Sequence, residues 1–255
     1  MSQALNGKTA LVTGGSRGIG QAIAQRLAAD GATVAMTYNT SRTGAEETIA
    51  AIEKAGGSAF ALQADLLDAG SIPGLFERLD RALSERTGGK ALDILVNNAG
   101  NPGWAGLAGA TPDAWDAILA VHARAPFFMV QSAQSRLSDG GRIINLSSGL
   151  STRPHPGASI YSAAKAAINT LTHVLAIELG SRGITVNAVA PGWTRTDMNA
   201  VVRENADMVK SIEADTALGR FGEPSDIASV VAFLASDDGR WVTGQVIEAS
   251  GGYRL

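Results

Sequence analysis

The sequence predicts an α/β fold: a doubly wound parallel sheet of seven strands with helices on both faces. Two observations predict it. Apolar, β-branched runs alternate with helix-length segments along all 255 residues. Several of those runs, such as Ala10-Leu11-Val12 and Ile94-Leu95-Val96, lack polar alternation, as strands covered on both faces do. Regular β-α-β alternation implies right-handed crossovers between parallel strands.

In order, strands are predicted at Thr9–Thr13, Thr33–Tyr38, Ser58–Gln63, Leu92–Val96, Arg142–Leu146, Thr185–Val189 and Gln245–Glu248. Helices are predicted at Gly18–Ala29, Ser41–Ala55, Ile72–Arg86, Pro112–Leu137, Ser159–Ser181, Asn199–Glu213 and Pro224–Ala235. No repeat, low-complexity tract or linker divides the chain, so residues 1–255 read as one domain.

Composition removes several classes of function. The net charge of −3 gives no electrostatic case for nucleic acid or an anionic membrane. With no cysteine there is no disulfide and no thiolate metal site. The three histidines, His122, His155 and His173, lack metal-ligand spacing, and no metal is expected. Met1–Lys8 carries no apolar signal core, and no run approaches the ~20 apolar residues of a membrane span. The expected location is the cytoplasm.

The first strand runs directly into Thr13-Gly14-Gly15-Ser16-Arg17-Gly18-Ile19-Gly20, which opens a helix. Such a turn lets backbone approach a pyrophosphate, and the helix N-terminus supplies amide donors and a positive dipole. The second strand ends Thr37-Tyr38-Asn39-Thr40-Ser41-Arg42 without an acid. An acid there would bind the ribose hydroxyls of NAD and repel a 2′-phosphate. Arg17 and Arg42 can instead pair with that phosphate, or simply lie in solvent. NADP(H) is expected over NAD(H), with NAD(H) as the second choice.

Tyr161 and Lys165 are four apart at the start of a helical pattern that continues through Ile168, Leu171, Leu175 and Leu179. They share a face, one turn apart. A phenol with a pKa of about 10 exchanges protons poorly at neutral pH, and a nearby cation favours phenolate. The pair can build a general acid/base.

Taken together these pieces resemble the short-chain dehydrogenase/reductase family in its single-domain, Rossmann-type form. The matching residues are Thr13-Gly14…Gly18-x-Gly20, Asp65, Asn97-Asn98-Ala99-Gly100, Ser148, Tyr161-x-x-x-Lys165 and Pro191-Gly192, in the family's order and over nearly the whole chain. The resemblance implies reversible hydride transfer between NADP(H) and a carbonyl or secondary alcohol. Tyr161 would act as general acid/base, Lys165 would lower its pKa and hold the nicotinamide ribose, and Ser148 would donate to the substrate oxygen. Ser147, the adjacent confusion, should point to the opposite side. Gly14, Gly18 and Gly20 would shape the phosphate turn, with Ser16 and Arg17 near the adenosine phosphate, and Ile19, Asn39 and Arg42 would also belong to the cofactor site. Asp65 would bond adenine, or serve only as a turn residue. Asn97 would brace the sheet, Ala99-Gly100 would admit the ribose, and Pro191, Gly192, Thr194 and Thr196 would approach the nicotinamide. The family also implies a homotetramer.

One position departs from the pattern. His122 stands where the family usually has an asparagine that holds a water beside the active-site lysine. An imidazole there preserves the relay, makes it pH-sensitive, or packs. The substrate pocket is expected from the loop after Gly100, with Trp104, and from the segment after Pro191, with Trp193 and Met198; these apolar residues either line it or pack in a lid or interface. His155 falls near substrate without a catalytic role. The alternatives within the enzyme class are a 3-oxoacyl-thioester reductase and a sugar or polyol dehydrogenase; outside it, a non-catalytic NADP(H)-binding redox sensor or a purely structural protein.

Overall fold

The computed structural model describes residues 3–89, 91–103 and 106–255. Trp104, expected at the pocket, lies outside them. Seven parallel strands run β1 (Thr9–Val12), β2 (Thr33–Tyr38), β3 (Ser58–Gln63), β4 (Leu92–Asn97), β5 (Leu137–Leu146), β6 (Thr185–Pro191) and β7 (Val246–Ala249). Their order in the sheet is β3-β2-β1-β4-β5-β6-β7. In-register pairing runs from Thr9↔Thr33 on one side of β1 to Ala10↔Ile94 on the other. The chain therefore reverses direction between β1 and β4, and a crevice opens at their carboxyl ends.

Helices α1 (Gly18–Ala29), α2 (Arg42–Lys54) and α3 (Ile72–Thr87) follow the predicted positions closely. On one face of the sheet Ile23, Leu27, Ile52 and Val231 pack over Val12, Val34 and Ile94. On the other, Leu75, Phe76, Leu79, Met129 and Leu175 pack over Leu11, Leu95 and Ile143. Two opposed apolar layers explain why the central strands carry no polar alternation.

The predicted helix Pro112–Leu137 is not one helix. It divides into α4 (Pro112–Leu119), a π-helical turn (Ala120–Arg124) and α5 (Ala125–Ala133), and β5 already begins at Leu137. Pro126 supplies the cause: it has no N–H for the carbonyl of His122 four residues back, so the ladder loosens there. The turn carries His122 into the interior, where it is only 3 % exposed. The predicted Asn199–Glu213 also divides, into α7 (Ala200–Arg203) and α8 (Ala206–Ala214), after α6 (Ser159–Leu179). Asn205 starts the new helix by accepting from the N–H groups of Asp207 and Met208, each at 3.1 Å. The last helix, α9 (Pro224–Ala235), matches its predicted bounds. No described helix is long and apolar enough to cross a membrane.

Candidate active site

A cleft of about 600 Å³ occupies the crevice above β1 and β4. The glycine turn forms one end. Gly14 takes φ +69°, a conformation that costs a side-chain-bearing residue strain, and its N–H donates to Thr37 Oγ1 at 3.1 Å. A Cβ at Gly20 would sit 2.1 Å from the Gly14 carbonyl oxygen, so only glycine lets α1 start this close to the turn. Asn98, whose role the sequence left unread, ties the end of β4 to the glycine turn after β1. Its Nδ2 donates to the carbonyls of Thr13 at 2.9 Å and Gly14 at 3.1 Å. Thr13 Oγ1 in turn accepts from the N–H groups of Asn98 and Ala99, each at 2.9 Å.

This end fits a dinucleotide phosphate. The N-cap of α1, Arg17, makes no side-chain cap, and the helix has no acid in its first turn, so its first amides are left for an anion. Arg17 itself is exposed at the rim. Tyr38, Asn39, Thr40 and Ser41 continue the wall without an acid, as a 2′-phosphate would require.

Gly14, Ser16, Arg17, Gly18, Ile19, Gly20, Asn39, Ala99, Gly100, Pro191, Gly192, Thr194 and Thr196 all line the cleft, with Ser148, Tyr161 and Lys165. Three expected cofactor residues do not. Arg42 pairs with Glu46 at 2.8 Å on the exposed face of α2, where an i,i+4 partner holds it. Asp65 accepts through Oδ1 from the N–H of Leu67 at 3.0 Å and from Asn39 Nδ2 at 3.3 Å, in the turn after β3. Asn97 lies beneath the sheet surface, its Nδ2 donating to Asn145 Oδ1 at 2.9 Å, and Asn145 continues the brace to Thr172 Oγ1 at 2.9 Å. The C-terminal Tyr253 and Arg254 line the cleft without any local sequence signal. They are brought there by a bridge between Thr216 and Tyr253 and by an ion pair between Arg254 and Asp215 at 2.9 Å.

The other end is built on β5 and α6. Both Ser147 and Ser148 line the cleft, but Ser147 is buried and donates to Asn169 Oδ1 at 2.5 Å, while Ser148 is only half-buried. Tyr161 and Lys165 project from successive turns of α6, with Lys165 Nζ 5.5 Å from the Tyr161 ring centre. Lys165 Nζ donates to the Leu146 carbonyl at 2.6 Å, which orients an otherwise buried amine. Burial pushes the Tyr161 phenol up to about 12; the hydrogen bond from Ser148 opposes that shift. Burial likewise pushes Lys165 down to about 7. The phenol rests protonated, the state a proton donor needs.

Around the substrate end, Trp193 meets Phe221 with ring centres 6.3 Å apart and also lines the cleft, as does the half-exposed Met198. His155 lines it too, its Nδ1–H donating to the Pro156 carbonyl at 2.6 Å. Among the described residues no cluster of three His, Asp or Glu could hold a metal ion.

A family model described as enoyl-(acyl carrier protein) reductase matches residues 14–254. The chain is 41% identical to versicolorin reductase of Emericella nidulans, across 97% of this chain and 96% of that one. An angucycline C-6 ketoreductase solved with bound NADP superposes with a TM-score of 0.95 at 47% identity, covering 100% of this chain and 98% of its own. A short-chain dehydrogenase/reductase from Serratia marcescens gives 0.90 at 39% identity, covering 99% and 100%.

Proposed function

The chain belongs to the short-chain dehydrogenase/reductase family, and on that premise we propose that it is an NADP(H)-dependent oxidoreductase that interconverts a carbonyl and a secondary alcohol. The observation that carries the reading is the placement of the Tyr161 phenol beside Ser148 and one helical turn from Lys165, in a cleft whose far end is an acid-free glycine turn. The angucycline ketoreductase, so similar in structure, binds NADP, which supports the choice of cofactor.

Bound NADPH would supply the hydride. The chain supplies position and proton. Gly14 to Gly20 and Arg17 would hold the phosphates, and Lys165 the nicotinamide ribose. Pro191, Gly192, Thr194 and Thr196 would fix the nicotinamide end. Ser148 donates a hydrogen bond to the carbonyl oxygen as negative charge gathers on it. Tyr161 releases its O–H proton to that oxygen as the carbonyl carbon gains hydride, giving the neutral alcohol. In the oxidative direction the same phenol oxygen takes the proton back. Lys165 stabilises the transient phenolate, which has most need of a cation once burial has made it costly.

The reading includes a cytoplasmic homotetramer. Val174 and Ile177 leave an apolar stripe exposed on α6, Ile177 at 82 %, and Trp115 and Phe127 are partly exposed on α4 and α5; a symmetric partner would cover such surfaces. Sedimentation of the purified chain tests this, a monomer at micromolar concentration being the contrary result. The activity itself is tested by following NADPH consumption against ketones, aldehydes, acyl thioesters and sugars. Turnover of a carbonyl supports the reading. Tight NADPH binding with no turnover across the panel would instead favour a redox sensor.

A further inference from the structure

His122 is a buried titratable group that the chemistry above does not use, and it lies between two parts of the site. On one side its ring meets the Tyr161 ring edge to face, with centres 5.0 Å apart and planes at 80°. On the other, Nε2 lies 3.0 Å from the Asn101 carbonyl oxygen and 3.2 Å from Asn101 Oδ1. The Asn101 N–H also approaches Nε2, at 3.4 Å, but the carbonyl contact is the shorter and a carbonyl oxygen can only accept, so we assign the proton to Nε2. Nδ1 is left with a buried lone pair and no partner among the described residues.

The loop between these contacts is shaped to both rings. A Cβ at Gly100 would lie 2.5 Å from His122 Cε1. A Cβ at Gly103 would lie 2.8 Å from Tyr161 Cδ2. Residues 100–103 therefore rest directly on the two rings, with His122 bonded to the middle of the loop. The π-helical turn, not an α-helical one, delivers the imidazole to this place.

We propose that His122 is a positioning residue: its neutral ring fastens the substrate-side loop at Asn101 to the flank of Tyr161, so that pocket and proton donor share one register. This rests on the oxidoreductase reading for its kinetic consequence but not for its structural content. The ionisable groups that face His122 are Lys165 and Tyr161, both on α6. Burial, with the Lys165 charge second, pushes the imidazole down to about 3, which favours the uncharged ring near neutral pH. A ring that does not titrate cannot relay protons by changing charge. It can hold geometry.

The tests have two arms. The first needs no turnover. Nitrogen-15 NMR of labelled imidazoles, with His122→Asn to assign the signal, should place His122 in the neutral Nε2–H tautomer without titration between about pH 5 and pH 8, the range in which ordinary histidines change charge. A midpoint within that range, or the opposite tautomer, overturns the proposal whatever the enzyme's activity. The second arm separates KM from kcat. His122→Phe keeps a ring against Tyr161 but loses the bond to Asn101; KM for the carbonyl substrate should rise about tenfold, the scale of one hydrogen bond, with kcat nearly kept. His122→Asn removes the ring and should lower kcat. Gly100→Ala, which pushes a methyl into the imidazole, should mimic the KM defect, and the double variant with His122→Asn should recover part of it because the smaller side chain makes room. Wild-type KM and kcat in both His122 variants, or loss in His122→Asn of an ionisation seen in the wild-type pH–rate profile, would overturn it. If the wild type reduces no carbonyl at all, the functional reading fails while the NMR arm still decides the placement of the ring.

Discussion

Ser147 and Ser148 are neighbours in the chain with different partners: Ser147, 3 % exposed, donates to Asn169 Oδ1 at 2.5 Å, whereas the less buried Ser148 accepts from the Leu150 N–H at 3.2 Å and lies beside the Tyr161 phenol. Asn169 is held in turn by its own bond to Ser151 Oγ at 2.9 Å. The two serines should therefore fail differently. Ser147→Ala should lower stability by about 1–3 kcal/mol, because it strands a partner in a low-polarity setting, and leave the chemical step largely in place. Ser148→Ala should lower kcat by about 100-fold, the scale of one lost oxyanion donor, with stability little changed. Urea titration and steady-state kinetics on both variants check the contrast.

Asn98 should prove a cofactor-site residue, since it lines the cleft and ties down the glycine turn. Its Nδ2 holds the carbonyls of Thr13 and Gly14. Asn98→Ala is expected to weaken NADPH binding about tenfold and to lower stability by about 1–3 kcal/mol. Fluorescence titration with NADPH and denaturant unfolding measure the two effects. Gly20→Ala, with its Cβ 2.1 Å from the Gly14 carbonyl oxygen, should be more severe in both.

Cofactor preference should depend on Arg17. It is exposed at the rim of an acid-free cleft wall, whereas Arg42 is engaged by Glu46. Arg17→Ala should cut kcat/KM for NADPH by about tenfold or more while leaving that for NADH within about twofold, as expected for loss of a charge-assisted phosphate bond. Arg42→Ala should have the smaller effect. An equal fall with both cofactors would assign Arg17 to the shared pyrophosphate instead.

Lys165 should leave a signature in stability against pH. Its folded pKa is pushed down to about 7, from an ordinary value of 10.5. Between those two values the unfolded chain binds a proton that the folded chain does not, so stability rises with pH across the window. Its slope is at most about 1.4 kcal/mol per pH unit. Below pH 7 the full cost of burying the charge is present. Lys165→Met removes this contribution, so the stability gap between variant and wild type should narrow in favour of the wild type from pH 7 to pH 9. Urea titrations at those two values read it directly; a gap independent of pH would mean that the amine is buried without a cost.

The strands, α1 and α9 were legible because they are local. Apolar runs mark covered strands, and Gly18–Ala29 begins where the glycine turn ends. The π-helical turn was not read, because a 3.6-residue pattern continues through it and only Pro126 interrupts the ladder. The long span Asn199–Glu213 was misread for a related reason: Asn205 looks like an ordinary helical residue until its side chain caps the next turn. Within the site, the glycine turn and the Tyr161–Lys165 pair are legible from spacing, and Ser148 from the family resemblance. The roles of Asn98, Tyr253 and Arg254 could not, because they depend on contacts between segments far apart in the chain. Arg42 and Asp65 suit the cofactor by their positions after the strands, and in the structure each also has a local partner, Glu46 on α2 for Arg42 and the Leu67 N–H for Asp65.

The most direct test is a single turnover of NADPH-loaded enzyme with a carbonyl substrate, followed by loss of NADPH absorbance, in wild type and in Tyr161→Phe. The variant keeps the ring that packs against His122 and loses only the hydroxyl that Ser148 bonds. The account predicts that NADPH still binds and that hydride transfer slows by at least about 100-fold, the lower range for a lost general acid. Hydride transfer at the wild-type rate in Tyr161→Phe would contradict it.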